Sequence, residues 1–182
     1  MGGMRNPTPI CLFVAGPAGT GKTIAAEHLA RHHGFIRVSL GHLCANEAEA
    51  LGWPMDRYHL QVAGDLLRSR DTAALARLAL RFPLPESASV VIDGVRLPEE
   101  GRFLREAGYL AVGMTARPET RKRCLRARGE RWPVPPHHTE TAVGNVEVDY
   151  VLAGDDLELA DVRRDRIGRM LRWAHGRATE PR

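Results

Sequence analysis

Short apolar runs alternate with longer amphipathic segments along most of the chain. Runs of strand length lie at residues 10–15, 35–40, 89–93, 109–115 and 149–152. Segments with helical character separate or follow them, at residues 22–33, 98–106, 118–128 and 156–173. Continuous apolar runs are typical of strands covered on both faces, and strands that alternate with helices specify a parallel sheet with right-handed crossovers. The pattern therefore predicts an α/β fold in three layers, with a five-stranded parallel sheet between helices.

The interval between the second and third predicted strands, residues 41–82, is helical throughout. Gly52-Trp53-Pro54 and residues 69–71 interrupt the pattern, and Asp56 is well placed to cap the middle helix through its side-chain oxygen. The three predicted helices cover residues 42–51, 57–68 and 73–80. An insertion of this length beside the sheet is the natural place for a subdomain that binds a substrate, namely the acceptor of any group that the protein transfers. We find no internal repeat and predict one domain across residues 1–182.

The segment between the first strand and the first helix matches the phosphate-binding-loop template G-x-x-x-x-G-K-[ST] at every fixed position, from Gly16 to Thr23. Its glycines permit backbone conformations closed to residues with a Cβ, so successive N–H groups can turn inward around a di- or triphosphate. The helix that follows adds unpaired amides and the positive end of its dipole. Seven residues are therefore predicted to bind the phosphates: Gly16, Ala18, Gly19, Thr20, Gly21, Lys22 and Thr23.

Two side chains of this loop have individual roles. The Lys22 ammonium is expected to reach the β- and γ-phosphate oxygens, and the Thr23 hydroxyl to bind the Mg²⁺ that bridges them. Only two of the 26 basic residues are lysines, so a lysine at position 22 departs from a strong preference for arginine. A compact point charge suits the loop better than a planar guanidinium. The sequence therefore predicts ATP and Mg²⁺ as cofactors.

Asp93 closes the apolar run of the third strand, at the edge where ligands gather in open α/β sheets. A carboxylate there supplies Mg²⁺ with a ligand directly or through water, although aspartates also cap turns. We expect Asp93 to be the second metal ligand beside Thr23. Arg96 follows three residues later and is expected to bind substrate phosphate, with a solvated surface arginine as the alternative.

A basic segment and a proline-rich loop follow the fourth strand. The helix at 118–128 places several guanidiniums on one face, and arginines over a transferring phosphoryl group lower the barrier to transfer. Residues 129–145 are expected to form a lid that folds over bound nucleotide and excludes water. His137 and His138 lie in this lid, but no third spaced ligand accompanies them in the sequence, so a metal site is not predicted there.

Composition narrows the partners and the compartment. The 182 residues are 43% hydrophobic and 26% charged, which is ordinary for a globular protein. The net charge of +4 comes from basic residues spread along the chain, with only ten Phe, Trp and Tyr to stack bases, so nucleic acid is not favoured as a partner. The three cysteines are far apart, and no apolar run approaches the length of a membrane span. We expect a cytoplasmic protein, monomeric or homodimeric, that binds a small-molecule nucleotide.

Taken together, these segments resemble the P-loop nucleoside and nucleotide kinases, particularly the phage-type deoxynucleoside monophosphate kinases and dephospho-CoA-kinase-like proteins. The resemblance is carried by residues 16–23, 38–40, 90–100, 119–129, 138–142 and 149–152. It implies a three-layer P-loop NTPase fold, with ATP on the loop, the acceptor between the inserted helices and the third strand, and lid arginines over the transferring phosphate. By this resemblance, catalytic roles are expected for Lys22, Asp93, Arg126 and Arg128, with Thr23 and Asp93 as metal ligands.

The resemblance also bears on the acceptor. Kinases that phosphorylate a hydroxyl usually place a carboxylate near the acceptor oxygen, and the family position for it, just after the second strand, reads Ser39-Leu40-Gly41-His42 here. A phosphate acceptor needs no base, so the missing carboxylate favours a nucleoside or deoxynucleoside monophosphate, although Asp93 could still serve as a base. The expected acceptor contacts are Ser39, His42, Tyr58, Arg68, Arg96, His138 and Glu140.

Three alternatives to a monophosphate kinase remain open at this point. The first is a kinase of a small-molecule hydroxyl, such as a nucleoside or a dephospho-CoA-like compound. The second is a regulatory NTPase that binds and hydrolyses nucleotide without an acceptor. The third, suggested by the net positive charge of the chain, is a kinase that phosphorylates the ends of nucleic acids.

Overall fold

A five-stranded parallel sheet forms the centre of the protein, as seen in a computed structural model that describes residues 8–130 and 137–179. The strand order is β2-β3-β1-β4-β5, and every neighbouring pair is parallel. The strands are β1 (Cys11–Ala15), β2 (Ile36–Ser39), β3 (Val90–Val95), β4 (Leu110–Thr115) and β5 (Tyr150–Ala153). The α/β fold predicted from the alternating pattern is confirmed.

Helices cover both faces of the sheet and produce the three layers. They are α1 (Lys22–His33), α2 (Leu40–Ala50), α3 (Arg57–Arg68), α4 (Ala74–Ala79), α5 (Pro98–Glu106), α6 (Pro118–Ala127), α7 (His138–Ala142) and α8 (Ala160–Thr179). Leu12 and Val14 of β1 join a core that contains buried residues of α1 and α8. Phe13 and Ala15, on the opposite face of the same strand, join a core with α2, α4 and α5. This alternation explains why β1 is apolar at every position, since both of its faces are covered.

Several element boundaries differ from the sequence prediction, most of them by one or two residues. Strand β2 ends at Ser39, and α2 begins at once with Leu40, so the strand is shorter than the predicted 35–40. Helix α8 begins at Ala160 instead of near Asp156, because Asp156 has a φ of 59°, which a right-handed helix does not allow. It also continues to Thr179, beyond the predicted end at residue 173.

The predicted insertion and lid correspond to α2, α3, α4 and α7. The first three lie between β2 and β3, as the helical interval predicted. Of the predicted lid at 129–145, residues 131–136 lie outside the described part of the chain, and the remainder contains α7 followed by a 3₁₀ helix, Val143–Asn145. Val143 is buried against the core on the α5 face of the sheet. None of the helices in the described ranges is long and apolar enough to span a bilayer.

The order of the strands creates a crevice at the carboxyl end of β1. β1 lies between β3 and β4, so the chain leaves β1 toward one side of the sheet and later returns to its other side. Open α/β sheets bind ligands at such a switch point. The pairing of β1 with β3 shifts near the end of the strands, from Val14 opposite Asp93 to Ala15 opposite Val95. The shift leaves Gly94 unpaired with β1 immediately after Asp93, beside the start of α2.

Candidate active site

The loop between β1 and α1 is wound into the conformation that the phosphate-binding template requires. Gly19 has a φ of 78° and Gly21 a φ of 87°, both in the left-handed region that favours glycine. A Cβ on Gly19 would lie 2.7 Å from the carbonyl oxygen of Arg121, so helix α6 packs directly against the loop. Both the local geometry and the neighbouring helix therefore require glycine at position 19.

Lys22 lies inside this loop. Its side-chain nitrogen donates hydrogen bonds to the carbonyl oxygens of Gly16 and Pro17, each at 2.7 Å, and the residue is only 8% exposed. Burial lowers the pKa of Lys22 well below its usual value, and the positive charges of Arg96 and Arg128 lower it further, although Glu140 and Asp93 act in the opposite direction. An anion bound in the loop would favour the charged form of this amine.

A carboxylate occupies the open side of the loop. The amide of Ala18 donates to Oε2 of Glu140 at 2.8 Å, and the Glu140 side chain is 3% exposed. Three guanidiniums surround it: Arg96 hydrogen-bonds Oε1, Arg57 lies 3.2 Å from Oε1, and Arg121 lies 3.6 Å from Oε2. Burial acts to raise the pKa of Glu140, but the charge of Arg96 and the Ala18 amide outweigh it, and the net pKa is lowered. We call Arg57, Arg96 and Arg121 the arginine pocket.

Asp93 is buried beside this pocket and paired with Arg37 of β2. Oδ2 of Asp93 accepts from Nε of Arg37 at 2.7 Å and lies 2.7 Å from Nη2, while Nη1 of Arg37 lies 3.3 Å from Glu27. Both contacts with Arg37 are made by Oδ2, and neither uses Oδ1. Thr23 and Asp93 line the same cleft, and a hydroxyl with a carboxylate oxygen is a suitable partial ligand set for Mg²⁺, which keeps several waters. The donor set therefore fits the ion, with Arg37 reducing the negative charge available to it.

These elements enclose a cleft of about 600 Å³, open solvent included. Nine of the residues singled out from the sequence line it: Ala18, Gly19, Gly21, Lys22, Thr23, Ser39, Asp93, Arg96 and Arg128. The other lining residues are Gly41, Arg57, Gly94, Leu125 and Glu130. Cationic side chains from three separate parts of the chain thus meet beside the phosphate loop, an arrangement that binds and neutralises phosphate.

A protein-family model described as an AAA domain (AAA_18) matches residues 12–144, which include the phosphate loop, the inserted helices and α7. The chain belongs to this AAA domain family. No curated protein gives a match.

Solved structures similar to this AAA domain include several kinases. Shikimate kinase from Acinetobacter baumannii, in complex with shikimate, has a TM-score of 0.60 at 12% identity, covering 96% of this chain and 97% of that one. Shikimate kinase from Bacteroides thetaiotaomicron has a TM-score of 0.58 at 16% identity, covering 90% and 97%. A gluconokinase from Sinorhizobium meliloti has a TM-score of 0.52 at 20% identity, covering 94% and 96%. The fold is shared with these kinases, so the three-layer P-loop fold that the resemblance implied is confirmed.

Several predicted site residues of the AAA domain do not line the cleft. Within the loop, Gly16 accepts the Lys22 hydrogen bond, and the Thr20 hydroxyl donates to Pro17 at 2.9 Å, so both support the loop from inside.

Tyr58 is 69% exposed, and His42 and Arg126 are also exposed. Arg68 is buried in an ion pair with Glu100, and His138 pairs with Asp65. The cleft lining therefore excludes four predicted acceptor contacts, His42, Tyr58, Arg68 and His138, and one predicted catalytic residue, Arg126.

Arg57 and Arg37 were missed from the sequence although both contact central carboxylates. Arg57 begins α3 immediately after the Asp56 cap, and the structure brings it to Glu140, 83 residues later. Arg37 is the one charged residue within β2, and a half-buried charge in a strand usually has a partner. The sequence position of Arg37 could therefore have predicted that it pairs with a carboxylate. The residues around Arg57 do not distinguish it from a surface arginine.

Proposed function

We propose that this AAA domain transfers the γ-phosphoryl group of ATP, with Mg²⁺, to a small acceptor that carries a negatively charged group. The observation that carries the proposal is the position of the Glu140 carboxylate, held by the Ala18 amide of the phosphate loop and by the arginine pocket. Two anion-binding elements therefore adjoin in one cleft. One suits the polyphosphate of a nucleotide donor and the other an anionic acceptor.

The phosphate loop is the proposed binding site of ATP, the phosphoryl donor. Its amides and Lys22 bind the β- and γ-phosphates, and Thr23 with Asp93 holds Mg²⁺, which neutralises charge on the phosphates when bound. Arg128 and Arg96 line the cleft next to the loop, where charge spreads over the equatorial oxygens of the moving group. The protein's contribution is positioning and charge neutralisation, since the transfer itself needs little covalent chemistry from the enzyme.

The first candidate acceptor is a nucleoside or deoxynucleoside monophosphate, which would give the diphosphate. Ser39 and Gly41, at the start of α2, line the cleft without contributing a carboxylate. Arg37 engages one oxygen of Asp93, which favours a structural and metal-binding role for that carboxylate over proton removal. A phosphate oxygen is already anionic near neutral pH and requires no base, so this arrangement supports a phosphate acceptor.

The second candidate is a hydroxyl on a small carboxylic acid. The anion present in the arginine pocket is itself a carboxylate, that of Glu140, and Arg forks match carboxylates as well as phosphates. Two of the similar structures are named for kinases of shikimate and gluconate, which both carry a carboxylate and several hydroxyls. In this reading Oδ1 of Asp93 accepts the proton from the acceptor hydroxyl.

A panel of acceptors incubated with ATP and Mg²⁺ tests the proposal, with the phosphorylated product identified by mass spectrometry. The panel contains the ribo- and deoxyribonucleoside monophosphates, nucleosides, dephospho-CoA, shikimate and gluconate. Turnover on a monophosphate supports the first candidate, and turnover on a hydroxyl acid supports the second. Lys22→Met is the control, because it removes the ammonium from the loop and is expected to abolish transfer while the protein stays folded.

Two results would contradict the proposal. If ATP consumption does not rise with any acceptor on the panel, the domain is better described as a nucleotide-hydrolysing switch. If Lys22→Met retains full activity, the phosphate loop is not the donor site. A rise in turnover only with single-stranded nucleic acid, weakening steeply with salt, would favour a kinase of nucleic-acid ends.

A further inference from the structure

Three potential metal ligands meet where α3 approaches α7, and none of them lines the cleft. They are Asp65 of α3 and the adjacent His137 and His138 at the start of α7. Nε2 of His137 lies 3.0 Å from Oδ2 of Asp65, and Nε2 of His138 lies 2.9 Å from Oδ1. One ligand atom from each of the three residues lies within 4.8 Å of the others. The fold thus supplies the third ligand that the sequence around the two histidines lacks.

The donor types and their spacing suit a first-row transition metal. Zn²⁺ binds His nitrogen and Asp oxygen at about 2.0–2.2 Å, which places the donors of a tetrahedral ion about 3.4 Å apart. Each histidine Nε2 is within about 0.5 Å of that separation from one carboxylate oxygen of Asp65, Oδ2 for His137 and Oδ1 for His138. Imidazole nitrogens select Zn²⁺, Cu²⁺ or Ni²⁺ over Mg²⁺, so the site differs in kind from the oxygen ligands of the cleft. We propose that Asp65, His137 and His138 bind one Zn²⁺ ion.

Contacts with Thr139 orient the His137 ring so that its Nε2 faces Asp65. Its Nδ1 lies 2.9 Å from the hydroxyl oxygen of Thr139, a largely buried residue. Nδ1 also accepts from the Thr139 amide at 3.4 Å, so a metal at Nε2 would place the ring proton on Nδ1, where it donates to the Thr139 hydroxyl in place of the amide hydrogen bond. Asp65 and His138 are exposed enough for an ion to enter and for a water to complete the coordination. The site therefore has three protein ligands, an oriented histidine and an open position.

The competing explanation is that the two histidines form only hydrogen-bonded pairs with Asp65. Such pairs require a proton on each Nε2, whereas Zn²⁺ displaces both protons, so the two explanations predict different responses to added metal. Bound Zn²⁺ would tie α7 to α3, and Glu140 follows His138 by two residues on α7. The ion would therefore help to hold Glu140 in the arginine pocket.

Calorimetric titration of the full chain with ZnCl₂, after removal of metal by a chelator and in excess MgCl₂, tests the site. We expect one Zn²⁺ per chain, and at least a hundredfold loss of affinity in Asp65→Ala and in His138→Ala. The matched control is His59→Ala, which removes a His–Asp pair of similar geometry on the same helix, at 2.9 Å from Asp56, without touching the three ligands. Its Zn²⁺ affinity should equal that of the unmodified protein.

A second variant separates lost ligands from lost folding. His138→Cys keeps a metal ligand at the same position, so it should restore tight binding and give a thiolate-to-metal charge-transfer band with Co²⁺. Absence of Zn²⁺ binding to the unmodified chain would overturn the proposal. So would an affinity unchanged in Asp65→Ala, which would indicate adventitious binding by two adjacent histidines. None of these outcomes depends on whether the domain is a kinase.

Discussion

At the scale of single residues, the Glu140 carboxylate and a bound phosphate compete for the same partners. Glu140 accepts from the Ala18 amide, and the arginine pocket surrounds it. A phosphate seated fully in the loop needs the same amide, so anion binding requires Glu140 to move or to share its donors. The carboxylate thereby neutralises the pocket when substrate is absent, since three guanidiniums so close together would otherwise repel one another.

Replacing the carboxylate by an amide should therefore strengthen anion binding. We expect Glu140→Gln to bind inorganic tripolyphosphate about tenfold more tightly than the unmodified protein, the size expected when one charge-assisted hydrogen bond no longer has to be broken. Isothermal titration calorimetry at fixed ionic strength measures the change. Glu147→Gln is the control, because it removes an exposed carboxylate outside the cleft. Weaker binding by Glu140→Gln would show that the carboxylate instead holds the arginines in position for the anion.

At the scale of elements, Glu100 joins the turn after β3 to the inserted helices. It is fully buried in the first turn of α5, where Oε2 accepts from the amides of Arg96 and Leu97 at 2.9 and 3.1 Å. Its Oε1 accepts from Nε of Arg68 of α3 at 2.8 Å. The same carboxylate thus caps α5, fixes the backbone that carries Arg96 and anchors α3. Arg68 accordingly has a structural partner in Glu100, while the acceptor contact predicted for it stays a prediction.

Removal of Arg68 tests which of these roles it has. Arg68→Met would leave the buried Glu100 carboxylate without its cation, so we expect a loss of about 3–5 kcal/mol in the free energy of unfolding. Urea denaturation measures this loss. Arg169→Met is the matched control, since it breaks an exposed pair with Asp165 and should cost less than about 1 kcal/mol. Unchanged stability together with a raised KM for the acceptor would support the original prediction of an acceptor ligand.

The elements differ in how far the sequence could predict them. Strands, helices and the phosphate loop follow from local patterns, so their order was predictable and their ends were wrong by only a few residues. Arg57 and Glu140 are 83 residues apart and meet only because α3 and α7 pack beside the loop. Asp65 approaches the histidines in the same way, across 72 residues. Contacts of this kind depend on tertiary packing, which no periodicity or motif in a single sequence specifies.

At the scale of the whole molecule, the backbone that follows the edge strand β5 supports the phosphate loop. Gly154 follows β5, and its amide donates to the Thr115 carbonyl at the end of β4 at 2.7 Å. A Cβ built on Gly154 would lie only 1.9 Å from the carbonyl oxygen of Thr20, in the phosphate loop. The backbone after the last strand therefore packs directly on the loop, although Gly154 itself does not line the cleft. The phosphate-loop template covers only residues 16–23, so no sequence motif points to Gly154.

This contact predicts that the loop can be disturbed without altering any residue of the cleft. In Gly154→Ala the new methyl group must displace the Thr20 backbone, so we expect a loss of about 1–3 kcal/mol in stability, typical of overpacking. ATP affinity should fall at least tenfold, because the loop amides would no longer converge on the phosphates. Gly176→Ala in α8 is the control: a Cβ there meets nothing within 4 Å, and alanine favours a helix. Calorimetry with ATP and thermal denaturation of both variants measure the two effects. An ATP affinity unchanged in Gly154→Ala, despite lowered stability, would mean that the loop keeps its shape independently of the last strand and that the support from β5 serves folding alone.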